Sequence, residues 1–143
     1  MIKIDENVLI NKEYLVEEGK YISNIEFCIE KPYIDFAGIK TVSFEEYKKD
    51  KGLPEQASLI KLIGECPEYV LKPREENFLQ GNCYIFTANG NTIALGNNYY
   101  KIFSKIPHII FYSDGEPYHQ VYLVIKAGLM RKVIGVLMPC VTQ

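Results

Sequence analysis

The chain has no Trp, only two His, and no apolar run near the ~20 residues a membrane helix needs. It has no Cys-x-x-Cys pair, no His-x-x-x-His or His-x-His spacing, and no Gly-rich phosphate loop. Each absence removes a class. Zinc sites need three or four converging ligands, and Cys28, Cys66, Cys83 and Cys140 are far apart in sequence. Four reduced thiols are the expectation, disulfides have no positive support, and no metal or cofactor is expected. The first residues, Met1-Ile-Lys-Ile-Asp-Glu, lack the apolar core and cleavage site of a signal peptide. A cytoplasmic location without membrane association is expected.

Carboxylates are scarce in one half. Residues 81–143 carry five Lys/Arg against two Asp/Glu, Asp114 and Glu116, a balance of +3. Residues 1–80 carry 11 against 16, a balance of −5. The net −2 therefore conceals an acidic half and a mildly basic one. At 143 residues and 48% hydrophobic content, a single α+β domain over 1–143 is expected.

What is present is strongest in the second half. Two β-prone runs across residues 84–95 flank Asn89-Gly90, the pair suited to a type I′ hairpin turn. Tyr99, Ile102, Phe103 and Ile106 then fall at helical spacing, with an Asn before them as a candidate cap and Pro107 as the stop. Residues 108–113 and 120–126 form a second strand pair around Asp114-Gly115. Residues 131–137 read as a last strand, central because it is mostly apolar. The expected order is ββαβββ.

The first half is less legible. Residues 2–10 read as one or two strands, and residues 12–19 as a helical turn or a strand entering a Gly turn. Residues 21–29 alternate as one strand with a bulge at Ser23-Asn24, and residues 33–39 as another strand. Ser43-Phe-Glu-Glu46 has the form of a capping box for a helix over 44–49. Pro54 suits the start of a helix over 55–63, and residues 69–72 suit a short strand. The expected fold is α+β, mainly antiparallel sheet with two to three short helices.

No catalytic constellation emerges. His119 near Asp114 and Glu116 reads as an exposed turn residue. A Cys/His nucleophile built from Cys83 or Cys140 with His108 or His119 matches no known motif. The protein is therefore expected to bind rather than catalyse, with an enzyme the least favoured alternative. Tyr100 with Lys101, Lys105, Lys126, Arg131 and Lys132 forms a candidate basic face. Aromatics among cations suit single-stranded nucleic acid or a protein interface. The acidic balance argues against strong nonspecific nucleic-acid binding.

One resemblance adds to this. Ile93-Ala-Leu95, Asn97-Asn98-Tyr99-Tyr100, residues 101–106, Glu116-Pro117, residues 121–125 and Val136-Leu137-Met138-Pro139 together resemble the closing half of a bacterial DNA sliding-clamp domain, over residues 91–140. The family has Met after Met-Pro where this chain has Cys140, and three such domains per ring-forming chain where this one has room for one. The resemblance implies a non-catalytic module in DNA metabolism, with a partner groove at Met138, Pro139 and Cys140 and DNA contacts at Lys101 and Lys105. A protein partner is expected first and DNA weakly. A phage or mobile-element origin is expected from the small size and lack of motifs, and a homo-oligomer is left open. The rival reading is a stoichiometric inhibitor, such as a phage anti-defence protein, using an acidic face at Glu45, Glu46, Glu75 and Glu76.

Overall fold

The computed structural model describes residues 2–3, 15–36, 38–49, 59–74, 79–80 and 82–140. These form a mixed α+β structure, mostly sheet, with two α-helices. Ile2–Lys3 (β1) pairs in parallel with Ile34–Asp35 (β5). The first-half strands are Leu15–Glu18 (β2), Tyr21–Ser23 (β3), Phe27–Glu30 (β4) and Thr41–Ser43 (β6). Short strands follow at Tyr69–Val70 (β7), Lys72–Pro73 (β8) and Leu79–Gln80 (β9). The second half supplies Cys83–Ala88 (β10), Asn91–Gly96 (β11), Ile109–Ser113 (β12), Val121–Ala127 (β13) and Met130–Leu137 (β14). The helices are Phe44–Lys49 (α1) and Asn97–Phe103 (α2).

An eight-stranded sheet runs β6-β2-β3-β4-β14-β13-β12-β7. Both halves of the chain thus share one sheet, joined where β14 pairs with β4. At that seam Glu30, 5% exposed, lies 3.7 Å from Lys20 and 3.6 Å from Lys132. A smaller sheet, β11-β10-β8 with β9 also on β10, packs against it.

β14 is central, as its apolar run requires. Leu123 pairs with Gly135 and Val124 with Val133, so Ile134 is the extra residue of a β-bulge. A Cβ on Gly135 would lie 2.2 Å from the Cys28 carbonyl oxygen, so only glycine lets β4 approach this closely.

The strand expected over 21–29 is two strands. β3 and β4 pair with each other, Ile22 opposite Ile29. The break in alternation is a reversal, not a bulge. The Asn24 side chain accepts from the amides of Glu26 and Phe27 at 2.8 and 2.9 Å, and the Asn24 amide donates to the Phe27 carbonyl. An Asn carbonyl that satisfies two turn amides offers the backbone an alternative to the ladder. Similarly, residues 15–18 are a strand turning at Gly19, not a helix. The strand expected over 33–39 is confined to β5, after a 3-10 turn at Lys31–Tyr33. Of the helix expected over 55–63, the described part is one 3-10 turn at Ile60–Leu62.

Other elements form as the sequence dictates. Asn89 (φ 50°) and Gly90 (φ 78°) make the left-handed turn between β10 and β11. Ser43 Oγ accepts from the Glu46 amide at 3.1 Å and caps α1. The stripe Tyr99, Ile102, Phe103, Ile106 is buried throughout. α2 starts earlier than expected: Gly96 and not an Asn is the N-cap, and no side chain caps the first turn. It ends at Phe103, before Pro107 is reached, and closes through tighter i→i+3 bonds.

Two faces of the large sheet are covered. Leu15, Ile22, Phe27, Ile29, Leu123 and Leu137 pack on one side with the β10–β11 hairpin and α2. Phe27 meets Tyr99 and Phe103 there, with ring centroids 5.4 Å apart in each pair. Each fully buried Phe or Leu contributes ~1.5–3 kcal/mol by leaving water. On the other side Cys28 and Val136 are covered by Leu59, Ile60, Leu62 and Ile63. The Leu59 amide donates to Ser23 Oγ, and the Tyr122 hydroxyl to the Leu62 carbonyl, each at 3.1 Å. Leu71 carries the chain from the large sheet at β7 to the small one at β8.

Candidate interaction surfaces

The β13–β14 hairpin outruns its neighbours. β12 pairs with β13 no further than Ile125, and β4 pairs with β14 only at residues 135–137. The outer rungs, Lys126 opposite Arg131 and Ala127 opposite Met130, are a two-stranded ribbon. One bond beyond Ile125, from the Lys126 amide to the His108 carbonyl, braces its base. At the tip Gly128 takes φ 61°. Leu129 is 101% exposed and Met130 78% exposed. A turn ordinarily carries polar residues, because its backbone and side chains face water. Here the most exposed large side chains are apolar and the flanks are cationic.

The predicted basic residues divide. Lys126 and Arg131 are exposed at the ribbon, and Arg131 lies 5.2 Å from the centroid of the Tyr112 ring. Lys132, next along, is drawn to the seam: it faces Glu30 and lies 3.5 Å from the Tyr33 hydroxyl. Lys101 and Lys105 are exposed, on α2 and just after it. Tyr100 is half-buried in an aromatic cluster, 4.6 Å from Tyr84, 5.1 Å from Phe86 and 5.5 Å from Phe111. Burial, then the neighbouring Tyr84, raises its pKa. On the acidic side Glu45 and Glu46 are exposed on the first turn of α1, while Glu75 and Glu76 lie outside the described residues.

The predicted groove residues lie on a tail that crosses between the sheets. The Met138 amide donates to the Glu26 carbonyl at 2.7 Å, and the Cys140 amide to the Ala94 carbonyl at 2.8 Å. Met138 packs with Cys28, Leu59 and Val136 on the sheet's second face. Cys140 lines an open pocket of 370 Å³ together with Asn82, Cys83, Gly96, Asn97, Asn98 and Tyr99. Met138 and Pro139 are not among its lining residues. Asn97 Oδ1 and Glu26 Oε2 are buried with no hydrogen-bond partner among the described residues.

Burial governs two of the thiols. All four cysteines are free. Burial pushes the Cys28 thiol up to about 12. Burial, then the Cys83 thiol and the Glu26 carboxylate, push Cys140 up to about 12. Such thiols are protonated at neutral pH, the opposite of what a nucleophilic cysteine needs. His119 is exposed, is bound to Asp114 at 2.6 Å and is not among the residues that line the pocket. Among the described residues no three His, Cys, Asp or Glu side chains converge as metal ligands would. No helix of the described residues is long and apolar enough to cross a membrane.

Sequence reasoning passed over Leu129 and Met130. The signal was there: Ala127-Gly128-Leu129-Met130 is a glycine turn between two strands whose other tip residues are apolar. In comparisons with protein-family models, curated proteins and solved structures, the chain matches none.

Proposed function

We propose that this protein is a non-catalytic docking module that engages a protein partner through the β13–β14 ribbon. The observation that carries the reading is the bare apolar tip, Leu129 and Met130, between Lys126 and Arg131. Burying each apolar side chain in a partner's pocket would contribute ~1.5–3 kcal/mol. The cations would select a pocket bordered by carboxylates and speed encounter more than they tighten binding. The nearest carboxylates in the second half, Asp114 and Glu116, lie in the loop at the other end of β13, so nothing on the ribbon opposes an acidic partner.

The sliding-clamp resemblance gives a more specific form of the same reading, a module in DNA metabolism of a phage or mobile element. Its groove residues Met138, Pro139 and Cys140 lie on the tail, and Cys140 reaches the pocket. Lys101 and Lys105, exposed on α2 and just after it, would be the DNA contacts of that form.

Photo-crosslinking from position 129 in the native cellular setting tests the docking reading, with exposed Tyr118 as the control position. The expected result is a discrete protein adduct from 129, absent from 118 and lost when Met130→Ser and Arg131→Glu are added. Equal labelling from both positions would overturn it. Salt-sensitive retention of duplex DNA, lost on Lys101→Ala with Lys105→Ala, would replace the partner protein by nucleic acid.

A further inference from the structure

We propose that Cys83 and Cys140 form a modification site: a dithiol that closes to a disulfide and locks the C-terminal tail onto the β10–β11 hairpin. The proposal stands apart from the docking reading, because neither thiol belongs to the β13–β14 ribbon.

The ladder supplies the geometry. Cys83 opens β10 and is paired with Gly96 at the end of β11. Directly opposed residues in an antiparallel pair project to the same face, with Cβ positions about 5 Å apart. Gly96 has no side chain, and Cys140 Sγ lies 3.7 Å from where its Cβ would be. Cys140 Sγ therefore sits in the space over Gly96, beside Cys83. The bond from the Cys140 amide to the Ala94 carbonyl holds its backbone there. The neighbouring Cys83 thiol is, after burial, among the groups that raise the Cys140 pKa. Cys140 belongs to no helix or strand, so rotation about its χ1 and a small shift of the tail can bring the sulfurs to bonding distance.

Access and selectivity follow from position. Both thiols are half-buried and line the same open 370 Å³ pocket, which a small oxidant can enter. Cys28 is fully buried in β4, and Cys66 is half-buried elsewhere with its thiol donating to the Pro67 carbonyl. Neither lines the pocket.

A small-molecule disulfide is a sufficient oxidant. One protein thiol loses its proton, and its thiolate attacks the reagent's S–S bond and expels one thiolate. The second protein thiol, deprotonated in turn, displaces the other half of the reagent. Two protein S–H bonds break and one S–S bond forms. The reagent is reduced to two thiols, which carry off the two protons. Because burial holds the Cys140 thiol protonated, closure is slow, as suits a modification site and not a catalytic centre. Closure ties position 83 to position 140 and removes both thiols from the pocket wall.

The test incubates the native full chain with oxidised glutathione, quenches in acid, alkylates under denaturing conditions and maps the unreduced peptides by mass. The expected result is one cross-linked peptide pair containing Cys83 and Cys140, with Cys28 and Cys66 alkylated. Cys66→Ser should still form the link, and either Cys83→Ser or Cys140→Ser should abolish it. The oxidised chain should show a higher Tm that a reductant reverses, as a cross-link restricting the unfolded chain predicts. Glutathione adducts at Cys83 and Cys140 without a cross-link, a link through Cys66, or a link between two chains would each overturn the proposal. The wild-type peptide map decides the matter even where a serine variant fails to fold.

Discussion

The two ends of β14 belong to one strand and live in different environments. From Ile134 to Leu137 every residue is buried, and β4 presses so closely on Gly135 that no side chain fits. From Met130 to Lys132 every residue is exposed, and among the described strands only β13 pairs with them. The buried end is explained by folding: apolar residues leave water and hold both halves of the chain in one sheet. Folding does not explain the free end. Leu129 and Met130 cover no core, and an apolar side chain fully in water contributes nothing to the stability of its own chain. An apolar residue at a solvated tip is informative because the fold does not need it there.

The largest break in this contrast comes from Gly135→Ala. Its methyl group would overlap the Cys28 carbonyl, and backbone on both sides would have to move. Overpacking of this kind costs ~1–3 kcal/mol or more. Urea denaturation should show an unfolding free energy lowered by that amount, read as a fall in midpoint at unchanged m. A loss below ~0.5 kcal/mol, the scale of ordinary surface substitutions, would mean that β4 and β14 are not held so closely. Next is Asn24→Ala, at the turn that brings β4 into position. It removes the acceptor for the Glu26 and Phe27 amides, and leaving a buried donor unpaired costs ~1–3 kcal/mol. A variant as stable as wild type would show that the β3–β4 reversal needs no side-chain support.

The same contrast shows where the sequence was readable. Asn89-Gly90 could be read because one dipeptide meets the φ demands of one turn. The stripe on α2 and the central place of β14 could be read because periodicity reports burial. Asn24 misled because alternation continues on both sides of it. A bulge and a tight hairpin look alike in sequence until the partner strand is known. Cys83 and Cys140 were noticed one at a time as thiols. Their juxtaposition depends on Gly96 and on where the tail crosses β11, neither of which spacing along the chain reports. Leu129 and Met130 fall in the gap between the strands read over 120–126 and 131–137, and spacing along the chain does not report how far a turn stands out from its sheet.

At the free end, Leu129→Ser with Met130→Ser should change stability by less than ~0.5 kcal/mol, since neither side chain touches the core. Partner adducts from the ribbon should nevertheless be lost. A clear fall in the urea midpoint would show that the tip packs against the rest of the chain, and would remove the reason for assigning it a role in docking.

The smallest effect is electrostatic and belongs to the end of β13 away from the ribbon, where the loop before β13 holds the His119–Asp114 pair. The hydrogen bond to Asp114, then its charge, raises the His119 pKa above the ordinary 6.5. Burial alone would raise Asp114, but bonds from His119 and from the backbone amides of Glu116 and Asp114 lower it below 3.8. The signs give a window. The raised His contributes fully below its unfolded value of 6.5 and loses that contribution as pH rises through its folded value. The lowered Asp contributes above its unfolded value of 3.8 and loses it as pH falls through its folded value. The clasp is therefore strongest between those two unfolded values, and it is lost as pH rises through the folded His119 value or falls through the folded Asp114 value. Both side chains are more than a third exposed, so solvent screening keeps the contribution below ~1 kcal/mol. An NMR titration of His119 reads it directly. A midpoint above 6.5 that drops on Asp114→Asn is the expected outcome, and a midpoint at or below 6.5 would show that the pair does not close in solution. The Leu129→Ser, Met130→Ser variant should leave that titration unmoved, because the clasp and the tip lie at opposite ends of β13.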